Sequence, residues 1–257
     1  MSLTRAFLVA GLVTLPMLAA DLAPTGTLRA VFLGSNPVQG HVDPQTGTVT
    51  GPVADLTKEL AHRLGIAYVV IPAPDARHVI DTLRAHAADI GFLAFDPTRA
   101  EEVEFSHPYA VMYNTYVVPA DSSIRKAEEV DAKGVRVATV QGQTQQIYLS
   151  GHLKNAEVKI LASMPPLDAL EKMMLAGEID AFGANRQRMQ EAAARYSTLR
   201  VLTDNFSSAE QAIVVRKEDS ANLDAINRFL QEMVSSGFVK DSLNRAKLTG
   251  VEAGVQK

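Results

Sequence analysis

In the segment ADIGFLAFDPTRAEEVEFSHPY, residues 88–109, one arginine follows an apolar run that breaks at Asp96-Pro97. A guanidinium is a planar fork that can make two parallel charge-assisted bonds to a carboxylate. Arg99 is therefore a candidate anion grip. The competing assignment is an exposed helix arginine paired with Glu101 or Glu102. A second candidate is VQGQTQ, 140–145, where a strand ends, Gly142 turns the chain, and Gln143 and Thr144 open a helix. Backbone N–H groups at a helix start point outward and favour an anion. An ordinary cap by Thr144 would need no ligand. No lysine follows and dinucleotide-type glycines are missing, so this is not a phosphate loop.

Other chemistry is thinly supplied. The six histidines, His41, His62, His78, His86, His107 and His152, show no metal-ligand spacing. There is no GxSxG nucleophile elbow. Glu101, Glu102 and Glu104 read as solvated or paired with Arg99. With no cysteine, disulfides and thiolate chemistry are excluded. No catalytic set, metal or cofactor is implied. A net charge of -4 and a pI near 5.9 argue against a nucleic-acid partner.

The elements that must hold these residues alternate. At 257 residues and 47% hydrophobic, the chain can build one large core or two modest ones. LRAVFL (28–33) reads as a strand, followed by a polar loop over 34–51. PVADLTKELAHRLG puts Val53, Leu56, Leu60 and Leu64 on one helical face. IAYVVIP is a second strand, ARHVIDTLRAHAAD a helix and IGFLAF a third strand, a pattern that implies a mostly parallel sheet. The pattern restarts at VRVATV (135–140), with a helix from GQTQ, the strand VKILA, the helix PLDALEKMMLAG and the strand EIDAFGA. A helix over 186–196, a strand at LRVLT and a final helix at NLDAINRFLQEMVSSG complete it. LRAHAADIGFLA and MMLAGEIDAFGA echo each other, each running from helix through an acid into a strand. The expectation is two similar α/β lobes, with a ligand at the carboxyl ends of the strands between them.

In DLTKELAHRLG, DIGFLAFDPTRAEEVEFSHPY, GVRVATVQGQTQ, LAGEIDAF and AIVVRKED, taken in order, the chain resembles the extracellular solute-binding proteins of family 3 over about 28–248. These feed ABC importers of polar amino acids and related small anions. The resemblance implies a two-lobed periplasmic binding protein of type II. Lobe 1 would be 26–115 with 213–257, lobe 2 would be 120–208, and the hinges would lie at 115–120 and 209–213. It implies that Arg99, six residues before Phe105, grips a ligand carboxylate. Gln143 and Thr144 would be donors to the same group from the other lobe. It also implies a membrane permease as partner, a monomer, and hinge closure around the ligand.

The sequence departs from the amino-acid binders of that family in three places. Asn185 stands where they usually carry the aspartate that holds the ligand ammonium, and an asparagine cannot neutralise a buried cation. Its alternative role is to cap the following helix. Ser35 and Asn36, with Pro37, occupy the place of the covering aromatic. The strand before Arg99 ends in Ala94 and Phe95 rather than serines, which predicts a less polar pocket where backbone groups contact the ligand. These changes fit a small carboxylate with an apolar or neutral body. The alternative on the same fold is a periplasmic dehydratase of the cyclohexadienyl or arogenate type, which would need a general acid in the cleft.

MSLTRAFLVAGLVTLPMLAAD has Arg5, then an apolar stretch over 6–20 too short to span a bilayer comfortably. It reads as a signal peptide, 1–20, and hence a periplasmic destination, or else as a first buried helix.

Overall fold

The computed structural model describes residues 22–254, so the predicted signal segment lies outside them. Strand β1 (Thr27–Leu33) leads through a small hairpin, β2 (His41–Val42) and β3 (Val49–Thr50), into helix α1 (Pro52–Leu64). The hairpin falls where the sequence predicts only loop. Its turn is held by the Asp43 carboxylate, which accepts the N–H groups of Gln45 and Thr46. Next come β4 (Ala67–Ala73), α2 (Ala76–Arg84) and β5 (Ile90–Ala94). β1 pairs in parallel with β4 on one side and β5 on the other. Every residue of β5 is buried, as a strand covered on both faces requires. Val53, Leu56, Leu60 and Leu64 of α1 join the core on one face of this sheet.

A single turn, α3 (Pro97–Ala100), leads into the long strand β6 (Val103–Pro119). The second half repeats the first with β7 (Arg136–Val140), α4 (Thr144–His152), β8 (Glu157–Leu161), α5 (Leu167–Leu175) and β9 (Ala181–Asn185). Here β7 lies between β8 and β9, parallel to both. α6 (Arg186–Arg195), β10 (Leu199–Val201) and β11 (Ser207–Arg216) return the chain to the first lobe, where α7 (Leu223–Ser235) packs.

α7 is not the final element, as the sequence predicts it to be. Gly237 (φ 81°) turns the chain into α8 (Phe238–Arg245), and β12 (Val251–Ala253) follows. Only Val239, Ser242 and Leu243 of α8 are buried, too short an apolar stripe to register as a helix from periodicity.

The two lobes share β6. Its early part pairs antiparallel with β11 and β12, and from Asn114 to Val117 it pairs with β9. Asn114 faces Ser207 on one side and Asn185 on the other, so β6 changes partner there. Each lobe thus has a parallel three-stranded core flanked by helices, β4-β1-β5 in one and β8-β7-β9 in the other, and the antiparallel crossing strands β11 and β6 join the two cores into one ten-stranded mixed sheet. No helix among the described residues is long and apolar enough to cross a membrane.

The sequence echo between the halves has a physical basis. Arg29 on β1 donates its backbone N–H and Nε to Asp89 Oδ2, at 2.8 and 3.1 Å, and its Nη2 to Oδ1 at 2.6 Å. Its Nη1 donates to the His86 carbonyl at 2.8 Å, closing the end of α2. Arg136 on β7 does the same to Asp180, at 2.8, 3.0 and 2.9 Å, and to the Gly177 carbonyl at the end of α5. Each clasp ties a helix end to the first strand of its sheet and sets where the third strand starts. His86, at φ 53°, and Gly177, at φ 65°, occupy the matching left-handed turns. This turn is why α2 stops at Arg84 rather than running to Asp89.

The Asp89 side chain is fully buried, whereas that of Asp180 is 33% exposed. Asp89→Asn should therefore cost about 3 kcal/mol of unfolding free energy, because it leaves Arg29 unpaired beside buried groups. Asp180→Asn should cost about 1 kcal/mol. Urea denaturation followed by circular dichroism measures both, and equal losses would contradict this ranking.

Candidate functional site

The clearest chemical feature lies at the carboxyl ends of β1 and β5. Asp96 accepts the N–H groups of Thr98 and Arg99 at 3.0 and 3.2 Å, and Pro97 fills the first helical position of α3. This cap fixes α3 and aims Arg99 into the cleft. The arginine is 8% exposed. Its Nη1 donates to the Ala94 carbonyl at 2.9 Å. Its Nη2 crosses to the other lobe and donates to the Gly142 carbonyl at 2.7 Å.

No described carboxylate lies within ion-pair distance of Arg99. The paired alternative is not the arrangement found: Glu102 is held by Arg77 and Arg84, and Glu104 by Lys217. Burial pushes the Arg99 guanidinium below its usual pKa, with the Asp96 charge acting in the opposite direction. An arginine stays protonated even so. The cleft floor therefore holds a buried positive charge bonded only to neutral carbonyls.

The opposite wall is the turn from β7 into α4. Gly142 adopts φ 71°, which its lack of a Cβ permits. Gln143 is the N-cap position of α4, and no side chain caps the helix. The Thr144 hydroxyl does not fill that role, so the first-turn N–H groups keep their donor capacity.

Between these walls is a small cavity of about 20 Å³, bounded by Leu33, Ser35, Asn36, Gln39, Leu93, Ala94, Arg99, Met112, Gln143, Thr144, Gln145 and Asn185. That is room for roughly one water molecule. A solute of several heavy atoms enters only if the lobes part or the polar side chains swing. The cleft widens outward into a chamber of about 550 Å³, which shares Leu33, Ser35 and Gln143 with the floor and adds Pro74, Asp75, Val140 and Met164.

Seven of the eight residues singled out from the sequence meet at this floor: Ser35, Asn36, Ala94, Arg99, Gln143, Thr144 and Asn185. Phe95 does not. The residue is 46% exposed, and its ring packs edge-on against Phe105 at a centroid distance of 5.2 Å. Phe95 lies just past the end of β5, which stops at Ala94, and its backbone N–H donates to the Glu210 carbonyl at 2.7 Å. Asn185 is also a cap, since its Oδ1 accepts the Arg188 N–H at 2.8 Å.

Sequence reasoning missed a set of buried amides. Gln39 accepts the Leu33 N–H and donates to Gln211 Oε1, both at 3.0 Å. Gln145 donates to Asn114 Oδ1 at 2.6 Å, and Asn114 donates to Ser207 Oγ at 2.9 Å. The available signal was an amide interrupting an apolar strand, as in YNTYVV and EQAIVV. Such a residue is tolerated inside only with a partner.

A side chain retained for binding should contribute little to folding. Arg99→Met removes an uncompensated buried cation, so the unfolding free energy should stay within about 1 kcal/mol of the parent or rise. Arg216 is equally buried, but it holds the Leu83 and Ala88 carbonyls and pairs with Asp219. Arg216→Met should cost about 3 kcal/mol. Equal destabilisation in urea melts would make Arg99 a structural residue.

Comparison with known proteins bears on the fold and the family. A structure of a mutant of ArgBP from T. maritima superposes with a TM-score of 0.73 at 26% identity, covering 90% of this chain and 99% of that one. An amino acid ABC transporter substrate-binding protein from Streptococcus pneumoniae Canada MDR_19A, bound to L-arginine, superposes at 0.74 with 18% identity, covering 91% and 99%. The ancestral amino acid-binding protein AncCDT-1, a precursor of cyclohexadienyl dehydratase, gives 0.72 at 23% identity, covering 90% and 98%. These likenesses identify the two-lobed fold as that of the type II periplasmic binding proteins. A search of curated proteins gave no match. The profile of the bacterial extracellular solute-binding proteins, family 3, matches residues 28–245, and the chain belongs to that family.

Proposed function

We propose that this solute-binding protein captures a small carboxylate-bearing solute, an amino acid or a related organic acid, between its lobes and delivers it to a membrane ABC permease. The observation that carries the reading is Arg99: a buried, unpaired guanidinium whose fork spans the two walls of the cleft. A ligand carboxylate would take the place of the Gly142 carbonyl on Nη2. It would also accept the free N–H groups at the start of α4, near Gln143 and Thr144. Anion and cation would then neutralise each other in a site shielded from water, where their attraction is strongest.

Closure follows from the same contacts. The ligand touches Arg99 from one lobe and the α4 turn from the other, so it makes both contacts only in the closed state and shifts the population toward it. β6 near Asn114 and the adjoining part of β11 are the hinge in this reading. The neighbours named for amino-acid transport support the solute class and the permease partner. The N-terminal segment 1–20 would direct export to the periplasm. The dehydratase alternative has less behind it: among the described residues no carboxyl or imidazole group lines the floor cavity, and Asp75 of the outer chamber is spent on capping α2.

Arg99→Ala, folded as judged by circular dichroism, should bind at least about tenfold more weakly to whichever carboxylate gives the largest thermal shift. A charge-assisted bond of this kind contributes about 1.5–3 kcal/mol. Titration calorimetry measures the loss. An unchanged affinity would remove Arg99 from the site and the carboxylate reading with it.

A further inference from the structure

We infer that the solute is a monoanion without an α-ammonium group, a 2-oxo or 2-hydroxy carboxylate, because the cleft floor balances the charge of a bare carboxylate and not that of a zwitterion. This rests on the carboxylate reading above and goes further by fixing what flanks the carboxylate. Among the described residues lining the floor cavity there is one cation, Arg99, and no acid. A bound monoanion brings the buried charge to zero. A bound zwitterion leaves it at one positive charge, with the ammonium placed beside a guanidinium. An unpaired buried charge is among the most costly things a site can hold.

Hydrogen-bond polarity points the same way. Asn36 and Asn185 are 6% and 3% exposed, and both border the cavity. Each has its side-chain oxygen committed to its own backbone turn. Asn36 Oδ1 accepts the Val38 N–H at 3.1 Å, and Asn185 Oδ1 accepts the Arg188 N–H at 2.8 Å. These bonds fix the amide orientations and leave Nδ2 as the available group of each. Neither Nδ2 donates to another described residue. The floor thus offers two amide donors beside the guanidinium. A carbonyl or hydroxyl oxygen next to the carboxylate accepts from such donors, whereas an ammonium has only donors to offer.

The acids nearby do not line the floor: Asp96, whose charge acts on Arg99, is spent on capping α3 through the Thr98 and Arg99 N–H groups. Asp75 borders the outer chamber, not the floor. It caps α2 by accepting the His78 N–H at 2.9 Å and also bonds His78 Nδ1 at 2.8 Å. The amides deeper in the floor, Gln39 and Gln145, already spend their Nε2 groups on Gln211 and Asn114. Ser35, Gln143 and Thr144 also line the floor, but a hydroxyl or a freely turning amide can donate or accept and so does not discriminate. The groups of fixed polarity are Asn36 and Asn185, and of these Asn185 stands at the α6 start, where an aspartate would cap equally well.

The test uses matched triads differing only at the α-position: pyruvate, lactate and alanine; 4-methyl-2-oxopentanoate, its 2-hydroxy analogue and leucine; phenylpyruvate, phenyllactate and phenylalanine. Calorimetry should show an oxo or hydroxy member binding at least about a hundredfold more tightly than its amino counterpart. Asn185→Asp keeps the cap, so its fold is retained; it should weaken the oxo or hydroxy ligand at least tenfold and strengthen the amino acid. An amino member binding as tightly as its partners would overturn this inference while leaving the carboxylate reading intact. If no member of any triad binds, both fail together. Unaltered preference in a folded Asn185→Asp protein would also overturn the assignment.

Discussion

The structure turns on one uncompensated charge. Arg99 is buried, protonated and unpaired, and its fork reaches a carbonyl on each side of the cleft. Carbonyl dipoles satisfy its N–H groups without cancelling its charge. An anion does both, so the guanidinium gives the closed cleft a preference that a neutral floor would lack. In the proposed reading, a residue in that position adds little to the stability of the empty protein and is explained by the anion it would hold.

Everything around Arg99 serves to hold it at the seam. The buried strand β5 and the Asp96 cap fix one wall, and the β7-to-α4 turn supplies the other. The Arg29–Asp89 and Arg136–Asp180 clasps sit at the opposite ends of the same sheets, where they set strand register without touching the cleft. The strands thus carry ion pairs at their amino ends and unpaired donors at their carboxyl ends, which in the proposed reading separates stability from binding. Between the lobes, the amides Asn114, Gln145, Gln39 and Gln211 fill the seam with neutral, mutually satisfied groups. These specify the packing of the walls and add no charge that would compete with Arg99.

Much of this was legible from residue order. The helix faces, the parallel strands, the turn into α3 and the two anion-directed motifs each have local causes: 3.6-residue periodicity, β-branched runs, Asp-Pro capping and a glycine turn. Arg29 and Arg136 were not legible as partners of Asp89 and Asp180, although the echo between halves pointed to those acids. Their pairing depends on strand register, which joins residues 60 and 44 positions apart. The amide network was hidden for the same reason. Phe95 does not join the floor because it lies past the end of β5 and packs on Phe105, a contact that sequence order does not show, and α8 with β12 was missed because their apolar stripes are too short to show a period. The clustering of Ser35, Asn36, Gln143 and Asn185 around one arginine is a tertiary fact that the family resemblance anticipated and that no single motif contained.

The decisive measurement is a crystal structure of the protein with its tightest carboxylate ligand. The carboxylate should lie against Arg99 Nη2 and the first-turn N–H groups of α4, with the bond to the Gly142 carbonyl replaced. The Asn185 amide nitrogen should face an oxygen at the α-position. A ligand seated elsewhere, with Arg99 still bonded to Gly142, would contradict this assignment.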